Sequence, residues 1–532
     1  MRRRGVVAGV ILLAWAGGLG ALARREFFKG QAESFAELAL RVQPETFYYV
    51  VEQGGEVVGY ASSTIDTTRR AFLVRDEMAA DLVVGGSPHR IVAASRVRLT
   101  RAFALTDFDV TVSADSAPIR IVGTAEGDTA VSYTVTGPSN DPAPQRLAVR
   151  GPILLPTLVP LAVTLGAEPK VGRRATVPMF DPTTMDTRQI TMEIKAESLF
   201  VVSDSARLDS TGTRWVVART DTVRAWRLGS GDPGDGDRLG GWVDERGRLV
   251  ESRQPGGLVL RRTAYEVAFE NWRLRRTGPT VAGPRRDVLE TTAIAAGVTW
   301  DAPRERLQVR LRNVAVDDYD LDGGRQTLAN DTLTVVRETL GDLVAGYERR
   351  SDGGSLRQRF RSTLLAEPLL QAGDPALRAQ AEAIVGDERD PAVATAKLVQ
   401  WVYRNVEKRY VVGIPDALTV LRTKAGDCNE HTQLFLGLAR SAGIPARAAA
   451  GLAFVNGRFF YHAWPEVWLG RWVAVDPTFG QFPADAAHLR FTIGGLARQA
   501  MLVQLIGTIG VDILASAPVA AGSASSPSPA SR

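Results

Sequence analysis

Three residues in the C-terminal third have the types and order that thiol chemistry requires. Cys428 is the chain's single cysteine. It follows Gly426-Asp427 and precedes the apolar helical run 434–442, so Asp427 is placed to cap a helix that Cys428 opens. A helix N-terminus favours negative charge. The thiol is therefore expected to ionise early, as cysteines in such positions do at roughly pH 3.5–7.5. A thiol nucleophile also needs a base, a group that orients the base, and donors for the oxyanion. His462 falls in a predicted strand over 459–469, and Asp476 follows the next one, 471–475. Adjacent antiparallel strands can set an imidazole beside a carboxylate, which would fix the tautomer. His431 is a rival base, three residues after Cys428 on the same helical face. A metal site from Cys428, His431 and His462 is another alternative, although C-x-x-H plus one distant His is a weak zinc pattern. Tyr410 is a candidate oxyanion donor beside the Cys428 N–H, with ordinary packing as its other reading. Trp464, Trp468 and Trp472 read as core and strand packing before they read as a substrate wall.

The segments Ala425-Gly426-Asp427-Cys428-Asn429-Glu430-His431, Gly443-Ile444-Pro445-Ala446-Arg447, Phe460-Tyr461-His462-Ala463-Trp464 and Ala474-Val475-Asp476-Pro477-Thr478 occur in that order. Together they resemble the bacterial transglutaminase-like superfamily over about 390–495. The resemblance implies a papain-like core with Cys428 as nucleophile, His462 as base and Asp476 as orienter. It also implies a thioester that passes to an amine or to water, without choosing between them. It implies neither a metal nor an organic cofactor, and its partner class is a protein or peptide bearing amide groups.

Elements must position these residues. Pro375 and Asp390-Pro391 each read as a helix start. Upstream, from about 47 to 268, short runs such as Phe47-Tyr48-Tyr49-Val50-Val51 and Ala130-Val131-Ser132-Tyr133-Thr134-Val135 recur between turn residues. This pattern predicts an antiparallel sheet or open barrel, with hairpins at Gly54-Gly55 and Asp244-Glu245-Arg246-Gly247. At the N-terminus, Arg2-Arg3-Arg4 precede an apolar run from Gly5 to Ala23, and Arg24-Arg25 follow it. The run is long for a signal peptide and near the length of a membrane span.

Composition sets the limits. A chain of 532 residues is too long for one compact core, and 45% hydrophobic with 23% charged residues is ordinary globular usage. The net charge of +5 comes from 64 basic against 59 acidic residues, without a clustered basic footprint, so nucleic acid is not an expected partner. One cysteine excludes a disulfide framework within the chain.

The expected fold class is α+β: a C-terminal papain-like, transglutaminase-like domain preceded by a large antiparallel β-rich region and an N-terminal membrane helix. The expected segments are an anchor or signal at 1–25, a β-rich domain at 45–275, a mixed connecting β region at 287–360, the transglutaminase-like domain at 361–515 and a disordered tail at 516–532. The expected protein is periplasmic or otherwise extracytoplasmic, tethered to the cytoplasmic membrane. It acts as a cysteine-dependent amidase, protease or acyltransferase. The alternative is a catalytically degenerate scaffold that binds an envelope partner through its β-rich region.

Overall fold

The computed structural model describes residues 42–519, apart from 69, 102–103, 115–117, 138–143, 150–157, 166–167, 182–185, 231–239, 278–285, 350–353, 368, 412 and 414. The expected membrane segment at 1–25 lies outside the described residues. Among those described, no helix is long and apolar enough to cross a membrane.

The alternating segments become one 14-stranded antiparallel sheet. Its first half is a meander of β1 (Glu45–Gln53), β2 (Glu56–Thr67), β3 (Ala71–Val84), β4 (Ser87–Thr100), β5 (Leu105–Ala114), β6 (Ile119–Glu126), β7 (Ala130–Thr136) and β8 (Gln145–Ala148). Helix α1 (Val159–Leu165) then leads to β9 (Arg174–Asp181), β10 (Asp186–Leu208), β11 (Trp215–Ser230), β12 (Gly241–Asp244), β13 (Leu249–Gln254) and β14 (Leu258–Thr263). The last strand returns to pair with β1, so β8 and β9 are the free edges. Gly54 and Gly55 both have positive φ, 61° and 88°, as a two-residue hairpin turn with right-handed strand twist requires.

Alternation puts one apolar row across four strands: Ile65 opposite Val74, Val74 opposite Val97, and Val97 opposite Phe108. These side chains share a core with Leu161 and Val163 of α1 and with Met179, Ile190, Ile194 and Leu228 from the other half. The sheet therefore wraps around α1. The neighbouring row is polar, with Asp76 registered between Ser63 and Ser95. Ser63 donates to the Asp76 carboxylate at 2.7 Å, and burial pushes that carboxyl up. Asp76 and Arg248 help line a cavity of about 510 Å³ walled by Ile65, Val74, Leu161 and Leu228.

Downstream lie β15 (Arg304–Arg312), β16 (Gln326–Ala329) and β17 (Thr332–Val336), then helices α2 (Pro375–Val385), α3 (Pro391–Asn405), α4 (Ala417–Thr423) and α5 (Cys428–Ser441). Strands β18 (Ala446–Val455), β19 (Arg458–Trp468), β20 (Trp472–Ala474), β21 (His488–Ile493) and β22 (Gly510–Pro518) complete the chain. Asp374 and Asp390 cap α2 and α3, each with Pro in the first turn, as their sequences predict. Strand β18 is central, between β19 and β21. The helices cover one face of this sheet through Leu398, Val402, Leu434 and Phe435. A second sheet, ordered β16-β17-β15-β22, covers the other through Leu307, Val309, Leu333 and Val335.

That second sheet joins strands of the expected connecting region to the last strand, β22. The apolar faces of those strands share one core with Leu452, Phe459, Leu489 and Phe491 of the β18 sheet and with Leu502 and Leu505 beyond it. The tail also begins later than expected, since Ser516 and Ala517 pair with Leu307 and Arg306 in β22. Residues 520–532 lie outside those described.

Candidate active site

The Gly-Asp-Cys sequence builds a helix start of defined geometry. The Asp427 carboxylate accepts from the Asn429 N–H at 2.8 Å, while Glu430 folds back to accept the Asp427 N–H at 2.9 Å. This reciprocal capping box ties the first turn of α5. Gly426 is required by the return of Glu430: a Cβ there would stand 2.2 Å from the Glu430 Cβ. Burial and the adjacent Asp427 push the Glu430 carboxyl up to about 9.

Cys428 is the first helical residue and is half-buried. The early-ionising thiol expected from a helix N-terminus is not what this environment makes. Burial pushes the Cys428 thiol well above its ordinary value. Asp427 adds to this, as do Glu430 and Asp476, while the Ala463 backbone N–H works the other way. Desolvation and three carboxyl groups outweigh the helix terminus.

The Ala463 contact brings the thiol to the residue next to His462. Thr432, one turn along α5, donates to the Ala463 carbonyl at 3.0 Å and fixes helix against strand. His462 lies on β19, and its Nε2 is 2.7 Å from Asp476 Oδ2 just beyond β20. The imidazole therefore donates through Nε2 and keeps Nδ1 for another partner. Among the described residues, no hydrogen bond joins Cys428 to His462 in the resting structure. Phe479 stacks on the His462 ring at 4.8 Å between centroids and 4° between planes.

Asp476 is fully buried and saturated. Its Oδ1 accepts from the Thr478 and Phe479 N–H groups at 2.7 and 3.0 Å. Its Oδ2 meets a second imidazole, His488 Nε2, at 2.9 Å. Burial alone would push this carboxyl up, but His462 and His488 hold it far below the usual range. The other nitrogen of His488 is 2.9 Å from Asp485 Oδ1. Burial opposes the charged ring, yet the two carboxylates push His488 up to about 9.

Sequence reasoning missed His488 and Asp485. The available signal was an Asp-x-x-His spacing, nine residues after Asp476, in a chain with only four histidines. The rival base, His431, is fully buried and gives Nδ1 to the Asp427 carbonyl at 2.7 Å. It makes no hydrogen bond to Asp476 or Cys428 among those described. The metal set weighed from sequence is not the one brought together. Donor atoms of His462, Asp476 and His488 lie within 4.8 Å of one another, and both imidazoles already point Nε2 at the same carboxylate oxygen.

Tyr410 reaches the site through a short parallel pairing of Lys408 with Gly426. Burial pushes its phenol up and Cys428 adds to the effect, so ring and thiol are neighbours. Trp464 is buried beside His462, while Trp468 and Trp472 pack on each other and on Phe360. All three tryptophans serve packing.

Comparison with known proteins follows this geometry. Residues 378–477 match the core model of the transglutaminase-like superfamily. No curated protein matches the chain. Among solved structures, a candidate cysteine protease from Cytophaga hutchinsonii aligns at 18% identity over 41% of this chain and 79% of that one, with a TM-score of 0.25. The periplasmic domain of TgpA from Pseudomonas aeruginosa, solved with ethylmercury, aligns at 20% identity over 34% and 71%, with a TM-score of 0.21. A candidate protease from Parabacteroides distasonis aligns at 8% identity over 68% and 64%, with a TM-score of 0.17. At such scores none of the three bears on the architecture of the whole chain. The matched segment, 378–477, spans most of α2, all of α3 to α5 and the strands that carry His462 and lead to Asp476, and it is there that the chain is similar to the transglutaminase-like core.

Proposed function

We propose that this protein is an extracytoplasmic thiol enzyme that transfers or hydrolyses acyl groups at amide bonds. Cys428 is the nucleophile, His462 the base and Asp476 the group that orients it. The observation that carries this reading is the 2.7 Å bond from His462 Nε2 to a saturated, buried Asp476, which reserves Nδ1 for the thiol proton. Asp427 caps the Asn429 and Glu430 N–H groups. The Cys428 N–H is left for an oxyanion, with the Tyr410 hydroxyl as its second donor. Location outside the cytoplasmic membrane rests on the apolar segment flanked by arginines near the N-terminus. The test is labelling of intact envelope with a thiol-reactive acyl probe. Wild type is expected to label at Cys428, and Cys428→Ala and His462→Ala to lose labelling. Equal labelling of His462→Ala would defeat the proposal.

One observation favours a second reading, in which the β-rich region binds an envelope partner. The 510 Å³ cavity holds a half-buried carboxylate, Asp76, and the unpaired Nε of Arg248. If binding there is the function, an envelope phenotype survives Cys428→Ala and is lost when Ala93, on the cavity wall, is changed to Trp.

A further inference from the structure

We infer that His488 is a positioning residue: it shares the Asp476 carboxylate with His462 and so holds the resting site as a neutral thiol and imidazole, not as a thiolate–imidazolium pair. This rests on reading Cys428, His462 and Asp476 as the reacting set.

The geometry of His488 dictates its charge. Nε2 is 2.9 Å from Asp476 and Nδ1 is 2.9 Å from Asp485. A neutral imidazole has one N–H, and only an imidazolium can donate to both carboxylates. The ring is also sealed from water, at 2% exposure, so no solvent competes for these bonds. Asp476 thus carries a resident cation. Its Oδ2 already takes His488 when it takes His462, and its Oδ1 is spent on two backbone N–H groups. A carboxylate compensated in this way has less left to stabilise a second cation on His462.

The thiol side agrees. Asp427, Glu430 and burial all disfavour a thiolate at Cys428. The thiolate half of an ion pair is therefore discouraged by the groups around the sulfur, and the shared Asp476 carboxylate is the route by which His488 reaches the other half. The proton must move during attack: the Sγ–C bond forms, the carbonyl electron pair shifts to oxygen, and the Sγ proton passes to His462 Nδ1. Collapse then breaks the C–N bond, His462 returns that proton to the leaving amine, and the thioester remains.

The charges facing His488 come from several elements. Asp476 and Asp485 lie in the segment between β20 and β21, and the His462 ring on β19 is 5.7 Å away between centroids. Arg325 acts on Asp485 from behind and is itself 3.2 Å from Glu338. Lys408, three residues past the end of α3, and His431 on α5 both feel the Asp476 charge. The rings packed on His488, Trp464 and Phe479, carry no charge.

The test is the pH dependence of iodoacetamide alkylation of Cys428 in the full chain. Wild type is expected to show an apparent thiol pKa above the free value of roughly 8.5. His488→Gln keeps an N–H for Asp476 but removes the charge. It is expected to lower that pKa by at least about one unit, or tenfold more thiolate at neutral pH. His488→Gln combined with His462→Ala is expected to lose the shift, because the released carboxylate acts through His462. Asp485→Asn, which strips His488 of one partner, is expected to shift the pKa the same way by less, and serves if His488→Gln does not fold. An unchanged or raised thiol pKa in either folded variant overturns the inference, since a purely structural histidine leaves the thiol where it was. Failure of the catalytic reading shows separately, as acyl-probe labelling that survives His462→Ala.

Discussion

Asp476 serves two imidazoles with one oxygen, and the chemistry proposed for this site turns on that arrangement. Asp476→Asn offers His462 an amide in place of a carboxylate and removes the preference for the Nε2–H tautomer. Loss of the comparable carboxylate elsewhere costs on the order of 10⁴ in rate. Acyl-probe labelling of Asp476→Asn is expected to slow by at least about 10³, with alkylation by iodoacetamide retained in the folded protein.

The same cluster makes stability depend on pH. His488 stands at about 9 when folded against 6.5 ordinarily. Its protonation therefore stabilises the fold fully below about pH 6.5, and the benefit drains away as pH rises through 9. At 1.36 kcal/mol per unit this is on the order of 3 kcal/mol. Asp476 and Asp485 act oppositely: held below their ordinary range, they support the fold at neutral pH and lose that contribution as pH falls. Glu430, pushed up from 4.5 to about 9, erodes stability across that window as pH rises. Urea midpoints are expected to fall between pH 6.5 and pH 9.5. Glu430→Gln, which keeps an oxygen for the Asp427 N–H, and His488→Gln are each expected to flatten part of that fall.

At the scale of elements, the site depends on α5 and β19 being held in one relative position. Thr432 provides one tie. Glu466, four residues after His462, provides another inside the sheet. It takes Arg447 on Oε2 at 2.8 and 2.6 Å and Arg490 on Oε1 at 3.1 Å, and both Glu466 and the Arg490 side chain are buried. Arg490 also donates to the carbonyls of Asp320, Asp322 and Gly323, joining β21 to the second sheet's turn. Glu466→Gln leaves buried guanidinium charge without its partner, a change that costs about 3–5 kcal/mol. Urea denaturation is expected to show a loss in that range, and a loss under 1 kcal/mol would mean that the ion pairs are dispensable. The helix starts at Asp374-Pro375, Asp390-Pro391 and Asp427-Cys428 were legible in the sequence, because a cap is a bond between neighbours. The partners of Arg490 lie 24 to 170 positions away in the chain, beyond any local pattern.

Across the whole molecule, the wrapped sheet meets the thiol domain at the tip of the β3–β4 hairpin. Gly86 N–H donates to Asp287 at 2.6 Å, and Val83 bridges to Asp287. Gly85, at φ 57°, lies under the Tyr410 ring: a Cβ there would fall 1.7 Å from Tyr410 Cδ2. Asn tolerates positive φ, so Gly85→Asn tests the contact and not the backbone. It is expected to push Tyr410 aside and to speed iodoacetamide labelling of Cys428 several-fold, with melting little changed. An unaltered labelling rate would show that the hairpin does not govern access to the thiol.

The sequence by itself determined that the stretch from about 47 to 268 is β-structure, where the capped helices α2, α3 and α5 begin, and the order of thiol, imidazole and carboxylate along the chain. Caps, turns and alternation act between residues a few positions apart, so they can be read in one dimension. Tertiary structure alone decided that Asp476 has a second histidine, that the Cys428 thiol is pushed up, that β22 closes a sheet begun near residue 304, and that Asp76 faces a cavity. Each of these is a matter of burial and charge summed over groups remote in sequence, and such sums exist only once the chain has folded.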